Sequence, residues 1–109
     1  MSRKLLGKID FVEFGTIKDY PFLIGLQLGF ALGNGCGVMC GGKYTINIDK
    51  NCRWEESDRQ QAITANMEWL YQLLKDAKVN HVSQLLNKPV EVTIEGNTFK
   101  DFRILTEVL

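Results

Sequence analysis

Three features of the sequence predict an α+β fold: a mostly antiparallel sheet of about five strands with one long helix packed on one face, in the order β-β-β-α-β-β. Runs of alternating apolar residues lie on both sides of the stretch around position 65, apolar residues within that stretch recur at steps of four and three, and Gly96-Asn97 separates two alternating runs as a hairpin connection would. The 109 residues are read as a single α+β domain, 1–109, because no repeat, low-complexity run or Pro/Ser-rich linker divides them.

The first strand is expected over Gly7 to Phe14, with Ile9 and Phe11 on one face and Asp10 on the other. Val12 and Phe14 then break the alternation, as a bulge or burial on both faces would. Thr16 to Tyr20 reads as a polar turn ahead of Pro21. The following PFLIGLQLGF places Phe22, Ile24, Leu26, Leu28 and Phe30 on a core face and Leu23, Gly25, Gln27 and Gly29 opposite. Alternate glycines in a strand imply that a backbone, a helix or a ligand comes unusually close.

Ala31 to Gly42, ALGNGCGVMCGG, is the glycine-crowded connection to a third strand at Tyr44 to Ile48. It serves the fold, a subunit contact or a ligand. Ser57 and Gln60 have the spacing of a capping box, so the helix is expected to open there and run to about Lys78, with Ile63, Met67, Leu70, Leu74 and Ala77 facing the sheet. Trp69 and Tyr71 flank that stripe and suit core or an oligomer face. HVSQLLNK forms a short helical turn that Pro89 ends, and Val90, Val92 and Ile94 open the final hairpin, which returns over Thr98 to Leu105.

Thirteen basic and thirteen acidic residues cancel, which argues against duplex nucleic acid as a partner and removes the self-repulsion that opposes association; a homo-oligomer is expected. Neither a signal-peptide core nor a run of roughly 18 apolar residues is present, so no membrane partner is expected and the location reads as cytoplasmic, the host cell cytosol. Cys36, Cys40 and Cys52 read as reduced thiols.

Gly37 to Lys43, GVMCGGK, matches the spacing of a phosphate-cradling loop, yet Tyr44 stands where a Ser or Thr would hold magnesium, and a strand follows where a helix is needed. The three cysteines and His81 have poor spacing for zinc, and His81 has no nucleophile or carboxylate pattern beside it. The expectation is therefore a protein that is not an enzyme, with no catalytic residue, metal or cofactor. The polar and aromatic residues suited to a phosphorylated, base-containing ligand are Arg53, Arg103 and Lys43 for phosphate, Trp54 or Phe99 for stacking, Gly41 for backbone amides, and Asn97 nearby. A structural reading competes: Trp54 packs the helix start, and Arg103 pairs with Glu91 or Glu107 across the sheet.

LLGKIDFVEFGTIKDYPFLIGLQLGF at the start and NKPVEVTIEGNTFKDFRILTEVL at the end, with Trp54 and Arg59 in a W-x4-R opening of the helix, resemble a group of short uncharacterised bacteriophage and prophage proteins of about this length. The resemblance spans nearly the whole chain and implies a setting rather than a chemistry. Small phage proteins of this kind are often anti-defence factors. It implies a non-enzymatic binding protein that sequesters a small phosphorylated nucleotide signal to counter host immunity. Two alternatives stand beside it: an inhibitor that occupies a host defence or CRISPR protein through an exposed sheet edge or the Trp69 face, and a virion structural or morphogenesis component.

Overall fold

The structure, a computed structural model, describes residues 2–33, 35–49 and 55–109. Six strands form one antiparallel sheet: β1 (Ser2–Ile17), β2 (Tyr20–Leu32), β3 (Gly37–Met39), β4 (Thr45–Asn47), β5 (Pro89–Glu95) and β6 (Thr98–Ile104). The spatial order is β3-β2-β1-β5-β6, and β4 also pairs with β2, on residues Leu23 to Gly25, so β3 and β4 share one edge. One helix, α1 (Glu56–Ala77), lies against β4, β6 and a 3-10 turn at Val82–Leu85. An α+β fold with a single helix on an antiparallel sheet is thus what the chain adopts.

Alternation explains the core. Leu26, Leu28, Phe30 and Leu32 of β2, Ile9 of β1, and Val90, Val92 and Ile94 of β5 bury their side chains on one face of the sheet. Leu73 and Ala77 of α1 and Leu85 of the 3-10 turn close over them. Gly96, at φ +65°, makes the tight connection between β5 and β6 that the sequence predicts. The helix ends where Lys78 turns left-handed at φ 60°: its N–H donates to Lys75 O at 3.1 Å, and Val79 N–H reaches back to Leu74 O at 3.0 Å.

Four local expectations are corrected. The first strand starts at Ser2, because Ser2 to Lys8 pair along β5 and that tertiary pairing outweighs their polarity. The predicted turn at Thr16 to Tyr20 shrinks to Lys18 and Asp19, with strand residues on both sides. Gly37 to Met39, expected within the loop, folds back along β2 as a sixth strand. Ser57 is not the cap; Glu55 precedes the helix in an extended conformation and makes no side-chain capping bond. Glu56 and Asp58 instead put negative charge on the first turn, where the helix dipole favours it.

The helical stripe holds at Leu70, Leu74 and Ala77 and departs from expectation at one position. Met67 is exposed, while Trp69 and Leu73 turn toward the core. The flat ring of Trp69 has a partner in Tyr44, which stacks on it. The bulge anticipated in the first strand falls at Asp10: Ile9 pairs with Phe30, Phe11 with Gly29, and Asp10 is the extra residue.

Candidate functional site

Arg53 and Trp54 lie outside the described residues, as does Cys52. The other five predicted ligand-binding residues are distributed over separate places. Arg103 spends its planar fork on carboxylates: Nε donates to Glu91 Oε1, and the two terminal nitrogens donate to the two oxygens of Glu107, all at 3.1 Å. These bonds, the Glu107 pair first, hold the guanidinium above its ordinary value, and the same pair holds the Glu107 carboxyl below the usual carboxylate range. A phosphate at Arg103 would have to displace both carboxylates.

Lys43 and Phe99 do come together. With Glu95, Thr98 and Lys100 they line one open depression of about 380 Å³. Lys100 pairs with Glu95 at 2.9 Å. One face of the Phe99 ring is already used, stacked on Phe30 with centroids 5.4 Å apart and planes 8° apart. Asn97 lines a different, smaller cleft with Arg3, Cys36 and Val38. Gly41 belongs to a third depression.

That third depression is built by the outer ends of the long β1–β2 hairpin. On the sheet face opposite the core, Ile17, Tyr20 and Leu23 form one wall and Met39 the other, with Gly41 and Gly42 and the Gln27 side chain completing a hollow of about 370 Å³. No charged residue lines it. Tyr20 lines it and meets Phe22 edge to face, ring centroids 6.1 Å apart, and Tyr20, Phe22 and Met39 are all exposed.

The glycine run positions this wall. Gly41 takes φ +61°, which lets the chain leave β3 and turn toward β4. Cys40 anchors the turn from behind: its buried sulfur lies 3.2 Å from the Leu28 N–H, and burial pushes the thiol up. Thr45 closes the turn, its hydroxyl donating to Gly42 O at 2.7 Å. Gly37 to Lys43 is therefore strand and turn, followed by strand. The resemblance to a phosphate loop ends at its spacing.

Gly25 and Gly29 also receive an answer. A side chain at Gly25 would collide with the backbone of Tyr44 and Thr45, and one at Gly29 would meet Met39 Sδ and Phe11 Cβ. The close neighbour is the chain's own β4 backbone in one case and the Met39 side chain in the other. Ile17, Tyr20 and Met39 are missed from the sequence because they fall in stretches read as turn and loop. Their signal was available only as apolar residues inside otherwise polar or glycine-rich segments.

Among the described residues no three His, Cys, Asp or Glu side chains cluster as metal ligands would. His81 precedes the 3-10 turn, where its backbone N–H donates to Gln84 Oε1 at 2.9 Å. Among the described residues no helix is long and apolar enough to cross a membrane. No protein-family model, curated protein or solved structure matches the chain.

Proposed function

We propose that this chain is a non-enzymatic protein-interaction module that occupies a partner protein with the outer face of its β1–β2 hairpin. The observation that carries this reading is the uncharged hollow between Ile17, Leu23 and Met39, lined also by exposed Tyr20, whose ring meets exposed Phe22. An apolar socket with aromatic residues at its margin has the composition of an interface hot spot, where a few anchoring side chains supply most of the affinity. Tyrosine suits such a rim because it offers a large contact area and one polar tip. The resemblance to phage proteins makes a host defence or CRISPR protein the fitting partner.

Affinity capture from host lysate tests the proposal, with wild type beside Met39→Glu and Tyr20→Ala. Both positions are exposed, so the fold should survive either change. Wild type is expected to retain one protein in stoichiometric amount, and each variant to weaken retention about tenfold or more, the effect of losing a central contact. Equal retention by wild type and Met39→Glu would remove the hollow from the interface.

A second reading, capture of a small phosphorylated ligand such as a cyclic nucleotide or ADP-ribose derivative, draws on the meeting of Lys43 with Thr98, Phe99 and Lys100 in one depression. The Lys43 ammonium and the Thr98 hydroxyl suit phosphate, Lys100 being paired with Glu95, and the exposed part of Phe99 suits a base. Calorimetry against a nucleotide panel decides it. Micromolar binding that Lys43→Glu abolishes would favour this reading over the first.

A further inference from the structure

Among the described residues no strand pairs with the second edge of β1 over half its length, although the 3-10 turn at Val82–Leu85 lies against β1. β5 pairs with Ser2 to Lys8, and Ile9 makes the last contacts on that side, donating to Lys88 O at 3.1 Å and accepting from Asn87 N–H at 2.7 Å. From Asp10 to Ile17, no strand lies beside this edge among the described residues. Alternate residues of an antiparallel strand direct their N–H and C=O to the same side. Ile9 faces β5, and the extra residue at Asp10 resets the alternation, so Val12, Phe14 and Thr16 present their backbone groups outward.

Natural sheet edges are usually protected by proline, by lysine or by a covering element. The segment from Asp10 to Ile17, DFVEFGTI, contains neither residue, and Phe14 on it is exposed. We propose that this edge pairs with the same edge of a second copy, antiparallel about a two-fold axis through Phe14, so that two sheets become one. In that register Phe14 lies opposite itself, Val12 opposite Thr16, Glu13 opposite Gly15, Phe11 opposite Ile17 and Asp10 opposite Lys18.

The charges select this register. Moving the axis to Glu13 sets Glu13 against Glu13, and moving it to Gly15 takes Asp10 beyond Lys18 and separates the two phenylalanines. Centred on Phe14, the acidic residue at one end meets the basic residue at the other, twice by symmetry. The outward-facing residues Val12, Phe14 and Thr16 then meet one another as hydrogen-bonded pairs. With zero net charge, little repulsion opposes the approach. Because Phe11 and Ile17 lie on the face of the sheet that carries the apolar hollow, pairing sets the two hollows side by side. The inference does not depend on what the hollow binds.

Sedimentation equilibrium of the full chain tests it, with Phe14→Lys, Asp10→Lys, Lys18→Asp and the Asp10→Lys/Lys18→Asp double variant. Wild type is expected to be a dimer at micromolar concentration and Phe14→Lys a monomer with unchanged circular dichroism. Each single charge reversal should raise the dimer Kd by about threefold or more, as surface ion pairs do, and the double variant should recover. A monomeric wild type, or a dimer indifferent to Phe14→Lys, overturns the proposal. A dimer lost with Phe14→Lys whose Kd ignores the charge reversals overturns the Phe14-centred register.

Discussion

The ring of Tyr44 lies flat on the indole of Trp69, centroids 4.3 Å apart and planes 12° apart. Tyr44 immediately precedes β4, and Trp69 sits in the middle of α1, so the stack fixes the helix to the edge of the sheet. Two further bonds radiate from the same tyrosine: Asn66 Nδ2 donates to its backbone oxygen at 3.0 Å, and its hydroxyl donates to Asp101 Oδ1 at 3.3 Å. Burial, and then the neighbouring Asp101 carboxylate, hold the hydroxyl well above its ordinary value, so it stays protonated through the neutral range. The ring matters more than the hydroxyl. Trp69→Ala is expected to cost about 3 kcal/mol, the lower end for removing a large aromatic because Trp69 is only partly buried. Tyr44→Phe should cost under about 1 kcal/mol, since the lost bond is exposed. Urea unfolding of both variants gives the comparison directly, and a larger loss for Tyr44→Phe would reverse this ranking.

Gly25 and Gly29 offer a cleaner contrast, because they occupy equivalent positions on one face of β2 yet face different obstacles. At Gly25 the added methyl meets backbone atoms of Tyr44 and Thr45, which can move only by displacing β4. At Gly29 the nearest obstacle is the sulfur of Met39, the far end of a flexible and exposed side chain, although Phe11 Cβ is close behind. Gly25→Ala should therefore cost at least about 3 kcal/mol, the upper range for overpacking, and Gly29→Ala about 1 to 2. Thermal unfolding of the two variants checks the order. Met39→Ala combined with Gly29→Ala should recover part of the loss, whereas no second-site truncation relieves Gly25→Ala.

Those two glycines also show where the sequence could be read and where it could not. Alternation at period two identified β2, the helix spacing identified α1, and Gly96-Asn97 identified the last turn, because each signal is local and each element follows it. The identity of the close neighbour at Gly25 was invisible, since it depends on β4 pairing with the same edge as β3. Met67 fits a helical stripe as well as Trp69 does, and only the presence of Tyr44 chooses between them. The hollow beside Met39 was hidden for a similar reason: its residues come from a strand end, a turn and a glycine run, which share no period. Of the predicted ligand-binding residues, Lys43 and Phe99 meet, but Arg103 is drawn away by Glu91 and Glu107, a pairing the sequence had offered as the competing account.

The Arg103 pair has a consequence in acid. The Glu107 carboxyl is held below its ordinary value, chiefly by Arg103, so its share of stability is fully present above the unfolded carboxyl value, near pH 4.3, and disappears as pH falls through the lower folded value. Arg103→Met removes the partner and with it the largest cause of the shift. The urea midpoints of wild type and Arg103→Met should differ at pH 7 and converge below about pH 4. The difference should also shrink in high salt, because both side chains are exposed. Since the guanidinium is already engaged, the same substitution should leave retention of a protein partner unchanged. A loss of binding with unchanged stability would instead place Arg103 in the recognition surface.

Arg59 carries the connection between the end of β4 and the start of the helix. Its side chain is only 11% exposed; Nε donates to Ile48 O at 3.0 Å, and a terminal nitrogen donates to Glu56 Oε1 at 2.9 Å. The backbone N–H of Arg59 meanwhile closes the first helical turn on Glu55 O at 3.0 Å. One residue thus ties three points of the chain across the segment from 50 to 54, which explains on physical grounds why an arginine five residues after Trp54 suits a helix opening here. Methionine at this position keeps the apolar stem but leaves the Ile48 carbonyl without its donor. Arg59→Met is expected to cost about 1.5 to 3 kcal/mol, the range for a hydrogen bond to a charged group. Arg59→Lys should recover only part of that, because an ammonium cannot reach two acceptors with the geometry of a planar fork. Glu56→Gln should cost under about 1 kcal/mol, because Glu56 is exposed and the amide oxygen still accepts. Hydrogen exchange distinguishes this account from a general loss of stability: in Arg59→Met the amides of the first two turns of α1 should lose protection ahead of those around Leu73 and Ala77. Uniform loss along the helix would mean that Arg59 acts on the whole fold and not on its entry point.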